Sequence, residues 1–346
     1  MRIVVVGATG NIGISLVERL AGERGVDSIV GLARRVPEGP LRFPGSEHVS
    51  WVAADIRYDD LEPLITDADV VVHLAWMFQP THRPEVTWST NVVGTGRVID
   101  AVKATGVPAL VMSSSVAAYS PRAYTDPVDE SWPTHGASSA AYAREKAYVE
   151  RLLDAVEAAD GPRVARMRPA FVFQGRSASE QHRIFAGPLL PRTLVRPTLI
   201  PAVPVPDGLL LQAVHARDLA DAFSRAALSD VSGAFNICAD DVLGPTELAS
   251  LVEARRVRVS SALLRGLINA AWTARAIPAD PKLFDAVMAL PVMSNARAKS
   301  ELGWSPSQSA QDAVEEFLAG LREGRGERTA PLRPNSSDER RAKSGA

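Results

Sequence analysis

The segment GATGNIG (7–13) constrains the fold most, because it joins a strand-like run to a helix-like pattern. The preceding residues RIVVVG form a β-branched apolar run that ends in glycine, which is typical of a buried strand. Ile12, Leu16 and Leu20 then repeat at helical spacing. Glycine permits a tight turn and close backbone contact with phosphate, and a helix N-terminus attracts anions. The segment predicts a dinucleotide site, and the alternative is a glycine turn that binds nothing.

Strand-like and helix-like segments alternate through the first half of the chain. A helix is predicted from about Ser138 to Ala158, and a helical face by Val92, Ile99 and Val102. Further strands are predicted at SIVGLA (28–33), HVSWVAA (48–54), DVVVHLA (69–75), PALVMSS (108–114) and PRVARMRP (162–169). Apolar strands that alternate with helices indicate a parallel sheet covered on both faces. We therefore predict an α/β fold with a doubly wound, Rossmann-like parallel sheet.

The second half of the chain lacks the regular alternation of strand-like and helix-like segments seen in the first half. We expect residues 1–175 to form the dinucleotide-binding domain and 176–321 a smaller α/β substrate-binding region, with 209–228 returning to the first domain. In that returning segment Asp218 is expected to cap a helix and His215 to pack in the core. From Arg322 onward the sequence mixes charge with Pro, Gly and Ser and lacks apolar periodicity, which predicts a disordered tail over 322–346.

The composition indicates an ordinary globular protein that takes a small ligand. A net charge of −2 gives no electrostatic reason to expect nucleic acid or anionic lipid as a partner. The six histidines show no paired spacing that suits a metal, and Cys238, as the only cysteine, excludes an internal disulfide. No apolar run is long enough to span a bilayer. We expect a cytoplasmic protein with a small-molecule substrate and no metal.

The end of the second predicted strand bears on the choice of nucleotide. A site that prefers NAD usually has an acidic residue there for the ribose 2′-hydroxyl, whereas this chain has Ala33 followed by Arg34 and Arg35. Arginine suits a 2′-phosphate because its guanidinium donates several hydrogen bonds to one anion. The residues favour NADP, with NAD as the alternative; both arginines could also simply face solvent.

A serine run and a helical Tyr/Lys pair supply candidate chemistry. Tyr142 and Lys146 stand four residues apart on the predicted helix and so share one face, and Ser113, Ser114 and Ser115 end a strand. A nearby ammonium stabilises a phenolate and lowers the pKa of tyrosine, while a serine hydroxyl can orient a reacting oxygen. Taken singly, the pair could be surface residues and the serines could be turn residues.

In their order along the chain these segments resemble the extended short-chain dehydrogenase/reductases, the NAD-dependent epimerase/dehydratase family. The resemblance covers about residues 1–320. The matching motifs are GATGNIG, ADI (54–56), HLA (73–75), NVVGT (91–95), SSSVAAY (113–119), YAREK (142–146), RPAFVF (168–173) and VHARDLADA (214–222). The resemblance implies that the glycine segment holds a dinucleotide, and that the protein forms a homodimer.

The resemblance also implies roles for individual residues. Tyr142 is expected to be the acid/base, Lys146 to bind the nicotinamide ribose and acidify Tyr142, and Ser115 to be the catalytic serine, with Ser114 as the fallback. Residues expected near the pyrophosphate are Gly7, Thr9, Gly10, Asn11, Ile12 and Gly13. Those expected along the rest of the cofactor are Arg34, Asp55 and Ile56 (the last two beside the adenine), Leu74, Ala75, Asn91, Ser113, Arg168 and Pro169.

Departures from the family pattern narrow the substrate. Dehydratases carry an Asp-Glu pair after the catalytic serine, where this chain has Val116 and Ala117. Sugar-nucleotide epimerases usually carry an Asn and an Arg where this chain has Phe171 and Leu211. Arginine is not replaceable by an apolar residue at a diphosphate, although arginines elsewhere could compensate.

The residues expected at the substrate position are mostly apolar. Trp76, Phe171 and Phe173 join Ser115 there, although each ring could instead fill the core. We therefore expect an NAD(P)-dependent oxidoreductase that transfers hydride between nicotinamide and a CH–OH or C=O centre of a fairly apolar small molecule. The alternatives are an NAD-dependent sugar epimerase that retains its cofactor and a non-catalytic NAD(P)-binding sensor.

Overall fold

The computed structural model describes residues 1–78, 84–159, 161–185, 202–277 and 280–334. Its strands are β1 Arg2–Val6, β2 Ser28–Ala33, β3 Val49–Ala53, β4 Val70–His73, β5 Ala109–Ser113, β6 Arg163–Pro169, β7 Phe171–Phe173, β8 Ala202–Pro206, β9 Ala213–His215, β10 Gly233–Ile237 and β11 Arg255–Val259. Its helices are α1 Asn11–Ala21, α2 Glu62–Ile65, α3 Pro84–Trp88, α4 Thr95–Ala104, α5 Ala141–Glu157, α6 Ala178–Phe185, α7 Ala216–Ala227, α8 Pro245–Ser250, α9 Ser261–Thr273, α10 Pro281–Met288, α11 Ala296–Glu301 and α12 Ala310–Glu323.

Seven parallel strands form the central sheet, in the order β10-β6-β5-β4-β1-β2-β3. Successive residues of β1 point to opposite faces, so that Ile3 and Val5 join one core cluster and Val4 and Val6 the other. Helices α1 and α7 cover the first face, and α2, α4 and α5 cover the second. The prediction of a doubly wound parallel sheet is confirmed.

The segment after β7 contributes both to the main sheet and to a smaller second core. Helix α7 packs its Leu219 and Phe223 in the same cluster as Leu16 and Leu20 of α1. Strand β10, which the sequence did not predict, pairs with β6 at the edge of the sheet. The second core contains residues of β9, α8 and α12. The assignment of 176–321 to substrate binding remains a prediction, and the part from 186 to 201 lies outside the described residues.

Of the two expectations for this segment, the packing of His215 is confirmed by its complete burial, and the capping role of Asp218 is wrong. His215, not Asp218, caps α7, since its Nδ1 accepts from the Arg217 N–H. Asp218 instead accepts hydrogen bonds from Ser307 and Gln308. It therefore ties α7 to the segment before α12.

The C-terminal segment also differs from its prediction. Helix α12 extends to Glu323, and the described residues beyond it pack on the protein rather than forming a disordered tail. Thr329 and Leu332 are fully buried, and the backbone N–H of Glu327 donates to the Leu332 carbonyl. One buried leucine gives no apolar periodicity, which is why the sequence did not predict this packing. Residues 335–346 lie outside the described ranges. Within those ranges, no helix combines the length and apolar composition needed to cross a lipid bilayer.

Two glycines where β1 joins α1, Gly7 and Gly13, cannot carry a side chain. Gly7 has a φ of +89°, and a β-carbon there would lie 2.5 Å from the Ala75 nitrogen. A β-carbon at Gly13 would lie 2.3 Å from the Gly7 carbonyl oxygen. The first turn of α1 is therefore pressed against the ends of β1 and β4.

We expect Gly13→Ala to destabilise the protein by about 3 kcal/mol, because its methyl group would meet backbone that cannot move aside. Gly96→Ala is the matched control, since Gly96 is also helical and has no atom within 4 Å of the added carbon. The control should be neutral or stabilise by up to about 1 kcal/mol. Urea unfolding of both variants measures the difference, and equal midpoints would contradict the packing described.

Candidate functional site

A cavity of about 630 Å³ lies at the carboxyl ends of β1, β4, β5 and β6. Open parallel sheets bind ligands at this edge. The predicted site residues that line the cavity are Gly7, Gly10, Asn11, Ile12, Gly13, Leu74, Trp76, Ser113, Ser114, Ser115, Tyr142, Lys146, Pro169, Phe171 and Phe173. The structure thus brings together the glycine turn, the serine run and the Tyr/Lys pair.

The start of α1 forms one end of this cavity. Gly10 is the N-cap residue and has no side chain to satisfy the first helical N–H groups, and the first turn holds no acidic residue. Those N–H groups and the helix dipole favour an anion next to Gly10 and Asn11. Because the close-packed glycines also leave the backbone bare, this end fits the pyrophosphate of a dinucleotide. Thr9 is buried beneath the turn and is not part of the cavity wall.

Ser115, Tyr142 and Lys146 meet on one wall of the cavity. The side chains of Tyr142 and Ser115 face each other closely enough for Ser115 to favour the phenolate, and Ser115 Oγ accepts from the Ala117 N–H at 3.1 Å. Lys146 Nζ lies 5.9 Å from the centroid of the Tyr142 ring and donates to the Ser113 carbonyl at 2.8 Å. Ser114, the fallback serine, donates instead to Glu150. The arrangement therefore favours Ser115 as the serine that works with Tyr142.

Burial sets the protonation of this group. It raises the pKa of Tyr142 to about 12, since desolvation of the phenolate outweighs the stabilising effect of the Ser115 side chain. It also lowers the pKa of Lys146 to about 7, against the opposing charges of Glu150 and Glu145. The expected acidification of Tyr142 by Lys146 is therefore not what the structure shows. At neutral pH the phenol keeps its proton, and the amine is close to losing one.

The Trp76 ring covers the Lys146 ammonium on the cavity wall. The Lys146 ammonium lies 3.4 Å from the centroid of the Trp76 ring, which is a close cation–π contact. The Trp76 ring also packs edge to face against the Tyr142 ring, with centroids 5.9 Å apart. The Phe78 ring packs against Tyr142 in the same way, with centroids 4.7 Å apart. The Lys146 ammonium is thus stabilised by the Trp76 ring and the Ser113 carbonyl rather than by the Tyr142 hydroxyl.

Asn91 holds the loop that carries Trp76. Its Oδ1 accepts from the Met77 N–H at 2.7 Å, and its Nδ2 donates to the Met77 carbonyl and to Glu145 Oε2. Glu145, which directly precedes Lys146 in the sequence, is buried. Its Oε1 also accepts a hydrogen bond from the Thr87 hydroxyl. Asn91 does not line the cavity; it supports the loop that carries Trp76. Glu145, which binds Asn91, was not among the residues predicted from the sequence.

The buried carboxylate of Glu150 explains the position of Arg168. Arg168 donates to both Glu150 oxygens at 2.9 Å and to the Tyr119 hydroxyl, so its guanidinium lies outside the cavity wall. Arg166 also donates to Glu150 at 2.9 Å. These contacts hold the pKa of Glu150 at about 2. The side chain of Arg168 therefore does not reach the cavity, where cofactor contact was predicted, because it is bound in the ion pair with Glu150.

The residues predicted around the adenosine lie outside the cavity. Arg34 is exposed after β2, as expected for a residue that could meet a 2′-phosphate. Asp55 accepts three hydrogen bonds from Arg57, which lower its pKa, and Ile56 is buried against Gly94. Ala75 contacts the glycine turn through its backbone. These four positions stay predictions as cofactor contacts.

The second half of the chain supplies wall residues that the sequence did not reveal. Helix α6 contributes Glu180, Gln181 and His182. The apolar wall residues from the second half are Ile184, Leu209, Leu211, Leu283, Ala286, Val287, Leu290, Phe317 and Leu321. Apart from Leu211, which the family pattern located, no motif spacing marks these residues, so only the packing of α6, α10 and α12 could reveal them. Among the described residues, no group of three His, Cys, Asp or Glu side chains is placed to hold a metal ion.

Comparison with known proteins identifies the family. The family model for the NAD-dependent epimerase/dehydratase family matches residues 3–238. The chain belongs to this family. Extended short-chain dehydrogenase/reductases were the resemblance expected from the motifs, and that expectation is confirmed.

The similar curated proteins differ in length from this chain. An uncharacterized protein of Mycobacterium tuberculosis is 27% identical over 337 residues, which cover 96% of this chain but 32% of that protein. The chain thus spans about a third of the length of this relative. A UDP-glucose 4-epimerase of Mycolicibacterium smegmatis is 34% identical over 146 residues, covering 40% of this chain and 46% of that protein.

Solved structures share the fold. A UDP-glucose 4-epimerase from Thermotoga maritima, with UDP-glucose, has a TM-score of 0.71 at 18% identity, covering 93% of this chain and 99% of that one. MoeE5, in complex with UDP-glucose and NAD, has a TM-score of 0.66 at 18% identity, with coverage of 93% and 99%. At such identities the likeness shows the fold alone.

We expect the stability of the protein to depend on the titration of Lys146. Unfolded lysine keeps its proton up to about pH 10.5, whereas native Lys146 loses it near pH 7. Between these values the unfolded state binds more protons, so raising the pH favours the native state. The melting temperature of the wild type should therefore rise relative to that of Lys146→Met from pH 7 to about pH 10. Lys103→Met, at an exposed lysine of α4, should show no such trend. A constant difference for Lys146→Met would contradict the burial of its amine.

Proposed function

We propose that the protein is an NAD(P)-dependent oxidoreductase of the extended short-chain dehydrogenase/reductase type. It transfers hydride between nicotinamide and a CH–OH or C=O centre of a fairly apolar small molecule. The observation that carries this proposal is the placement of Ser115, Tyr142 and Lys146 together on the wall of the cavity that the glycine turn also lines. A protein that only binds a nucleotide needs the glycine turn but not these three side chains, which argues against a non-catalytic sensor.

The chain's own residues account for the proton chemistry. A bound nicotinamide would supply or accept the hydride. Tyr142, whose pKa of about 12 keeps it protonated at neutral pH, is suited to donate its proton to a carbonyl oxygen that becomes an alkoxide. Ser115 would orient that oxygen by a hydrogen bond, and Lys146 would bind the nicotinamide ribose. This protonation state favours carbonyl reduction as the direction that Tyr142 assists.

The cavity wall favours an apolar substrate. Phe171 and Phe173 stack with ring centroids 6.4 Å apart, and Phe317 lies 5.1 Å from Phe173. Leu211, at the position where sugar-nucleotide epimerases usually carry an arginine, also lines the cavity. Among the described residues of the wall there is no arginine. A diphosphate would meet no guanidinium from this part of the chain.

A sugar-nucleotide epimerase with retained cofactor is the second candidate. It is favoured by the local similarity to the UDP-glucose 4-epimerase of Mycolicibacterium smegmatis. An epimerase oxidises and re-reduces one carbon without net consumption of nucleotide. Purified protein that carries bound NAD, and that changes neither NADPH nor NADP⁺ with any carbonyl or alcohol, would decide for this candidate.

Replacement of Tyr142 tests the oxidoreductase directly. We expect Tyr142→Phe to reduce NADPH-dependent turnover of an aromatic ketone panel by about 10²- to 10⁴-fold, because the proton donor is lost. Dinucleotide affinity should stay nearly unchanged. Tyr124→Phe, at a half-exposed tyrosine outside the cavity, is the matched control and should retain full activity. Full turnover by Tyr142→Phe would remove the tyrosine from the mechanism.

We also propose that NADP is preferred over NAD. Ala33 leaves no carboxylate at the end of β2 to bind a ribose 2′-hydroxyl, and Arg34 is exposed directly after it. An exposed guanidinium can approach a 2′-phosphate and donate to two of its oxygens.

Arg34→Ala should weaken NADP⁺ binding by about tenfold, the size of one lost charge-assisted hydrogen bond, and leave NAD⁺ binding unchanged. Arg24→Ala, at an exposed arginine before β2, serves as the control. Isothermal titration with both nucleotides measures the four constants. Equal losses for NADP⁺ and NAD⁺ would show that Arg34 does not read the 2′ position.

The homodimer implied by the family resemblance has a candidate surface. Trp88, Val93 and Tyr148 expose 39%, 51% and 45% of their surface, and the rings of Trp88 and Tyr148 lie 5.1 Å apart. We propose that this patch pairs with a second copy. Tyr148→Glu should then shift the sedimentation coefficient from dimer to monomer, while Tyr58→Glu, at a more exposed tyrosine elsewhere, should not. A wild type that sediments as a monomer would overturn the proposal.

A further inference from the structure

Glu180 is the acidic residue in the described part of the cavity wall, and nothing in the proposed chemistry uses it. It lies on α6 and shares the wall with Phe173, Leu211 and Phe317. The side chain is mostly covered. Within the described residues, its carboxylate forms neither a hydrogen bond nor an ion pair.

Arg183, which acts on Glu180, and Lys146, which shares its cavity wall, are hydrogen-bonded to backbone carbonyls. Arg183, the cation that most affects it, donates to the carbonyls of Pro331 and Arg333 in the C-terminal segment. Lys146, the lysine of the wall, is on α5 and donates to Ser113. Burial without a partner destabilises a carboxylate, and here it raises the pKa of Glu180 to about 7. The Glu180 carboxylate thus receives no hydrogen bond from the described residues.

We propose that Glu180 determines substrate specificity by binding a basic nitrogen of the substrate. An ammonium group entering the cavity would supply the missing donors and charge, and the apolar side chains between would hold a hydrocarbon or aromatic body. A phosphate or carboxylate at the same place would be repelled. This inference rests on the proposed function. It narrows the substrate to carbonyls or alcohols that also carry an amine, because Tyr142 of α5 and Glu180 of α6 line the same cavity and could bind the two groups of one molecule.

Three probes of one shape test this inference on the full chain with saturating NADP⁺: 4-phenylbutylamine, 4-phenylbutan-1-ol and 4-phenylbutyrate. We expect the wild type to bind the amine about tenfold more tightly than the alcohol, as one charge-assisted hydrogen bond predicts, and the carboxylate most weakly. Tryptophan fluorescence or calorimetry gives the dissociation constants. This comparison needs no variant, and equal binding of amine and alcohol, or tighter binding of UDP than of the amine, would overturn the proposal.

Variants then assign the preference to the residue. Glu180→Gln should abolish the difference between amine and alcohol, and Glu180→Lys should reverse the order of amine and carboxylate. Glu315→Gln, at an exposed carboxylate of α12, should keep the wild-type order. An amine preference that survives in Glu180→Gln would overturn the assignment.

Failure of the proposed function gives a different result. If the protein binds neither NADP⁺ nor NAD⁺, or if Tyr142→Phe keeps full turnover, the oxidoreductase reading fails. The amine preference can still be measured in that case, because it is read from binding alone. Loss of the preference with intact dinucleotide binding and turnover would count against Glu180 only.

Discussion

The ion pair between Glu150 and the arginines of β6 fixes the helix on which the site depends. Tyr142, Lys146 and Glu150 follow one another at four-residue intervals, so they lie along one face of α5. Glu150 binds Arg166, Arg168 and the Ser114 hydroxyl, which anchors that face to the ends of β5 and β6. Breaking such a buried pair by removing one partner typically costs about 3–5 kcal/mol. Once Glu150 is anchored, Tyr142 must meet Ser115 and Lys146 must meet the Ser113 carbonyl.

The burial that this anchoring produces has opposite effects on the two reactive groups. The phenol of Tyr142 becomes harder to ionise, and the amine of Lys146 becomes easier to neutralise. The Trp76 ring compensates part of the desolvation of the ammonium. A ribose that approached Lys146 would therefore have to compete with Trp76, whose loop is held by Asn91.

Buried strands were predictable from the sequence, and the walls around them were not. Strands β1 to β6 fall within two residues of their predicted bounds, because β-branched runs closed by glycine or polar residues have few other structures. GAFNI, the sequence of β10, is too short and mixed to show this pattern, and it becomes a strand because β6 offers a free edge. The family motifs located Ser115, Tyr142 and Lys146. They could not show that Arg168 points to the face of β6 covered by α5, nor how deeply Lys146 is enclosed. Glu180 lies in a stretch without a motif and is brought to the cavity by tertiary packing.

The packing of the C-terminal segment has a consequence for how selectivity could change. Ser179 and Arg183 of α6 both donate to backbone carbonyls between Gly324 and Arg333, so this segment braces the helix that carries Glu180. Backbone carbonyls serve as acceptors whatever side chains they bear. Substitutions in this segment would therefore leave these hydrogen bonds in place unless they displace its backbone, as a change at the buried Thr329 or Leu332 would. A change at Leu332 would therefore act on the wall residues of α6 through the backbone, at a distance from the glycine turn and from Tyr142.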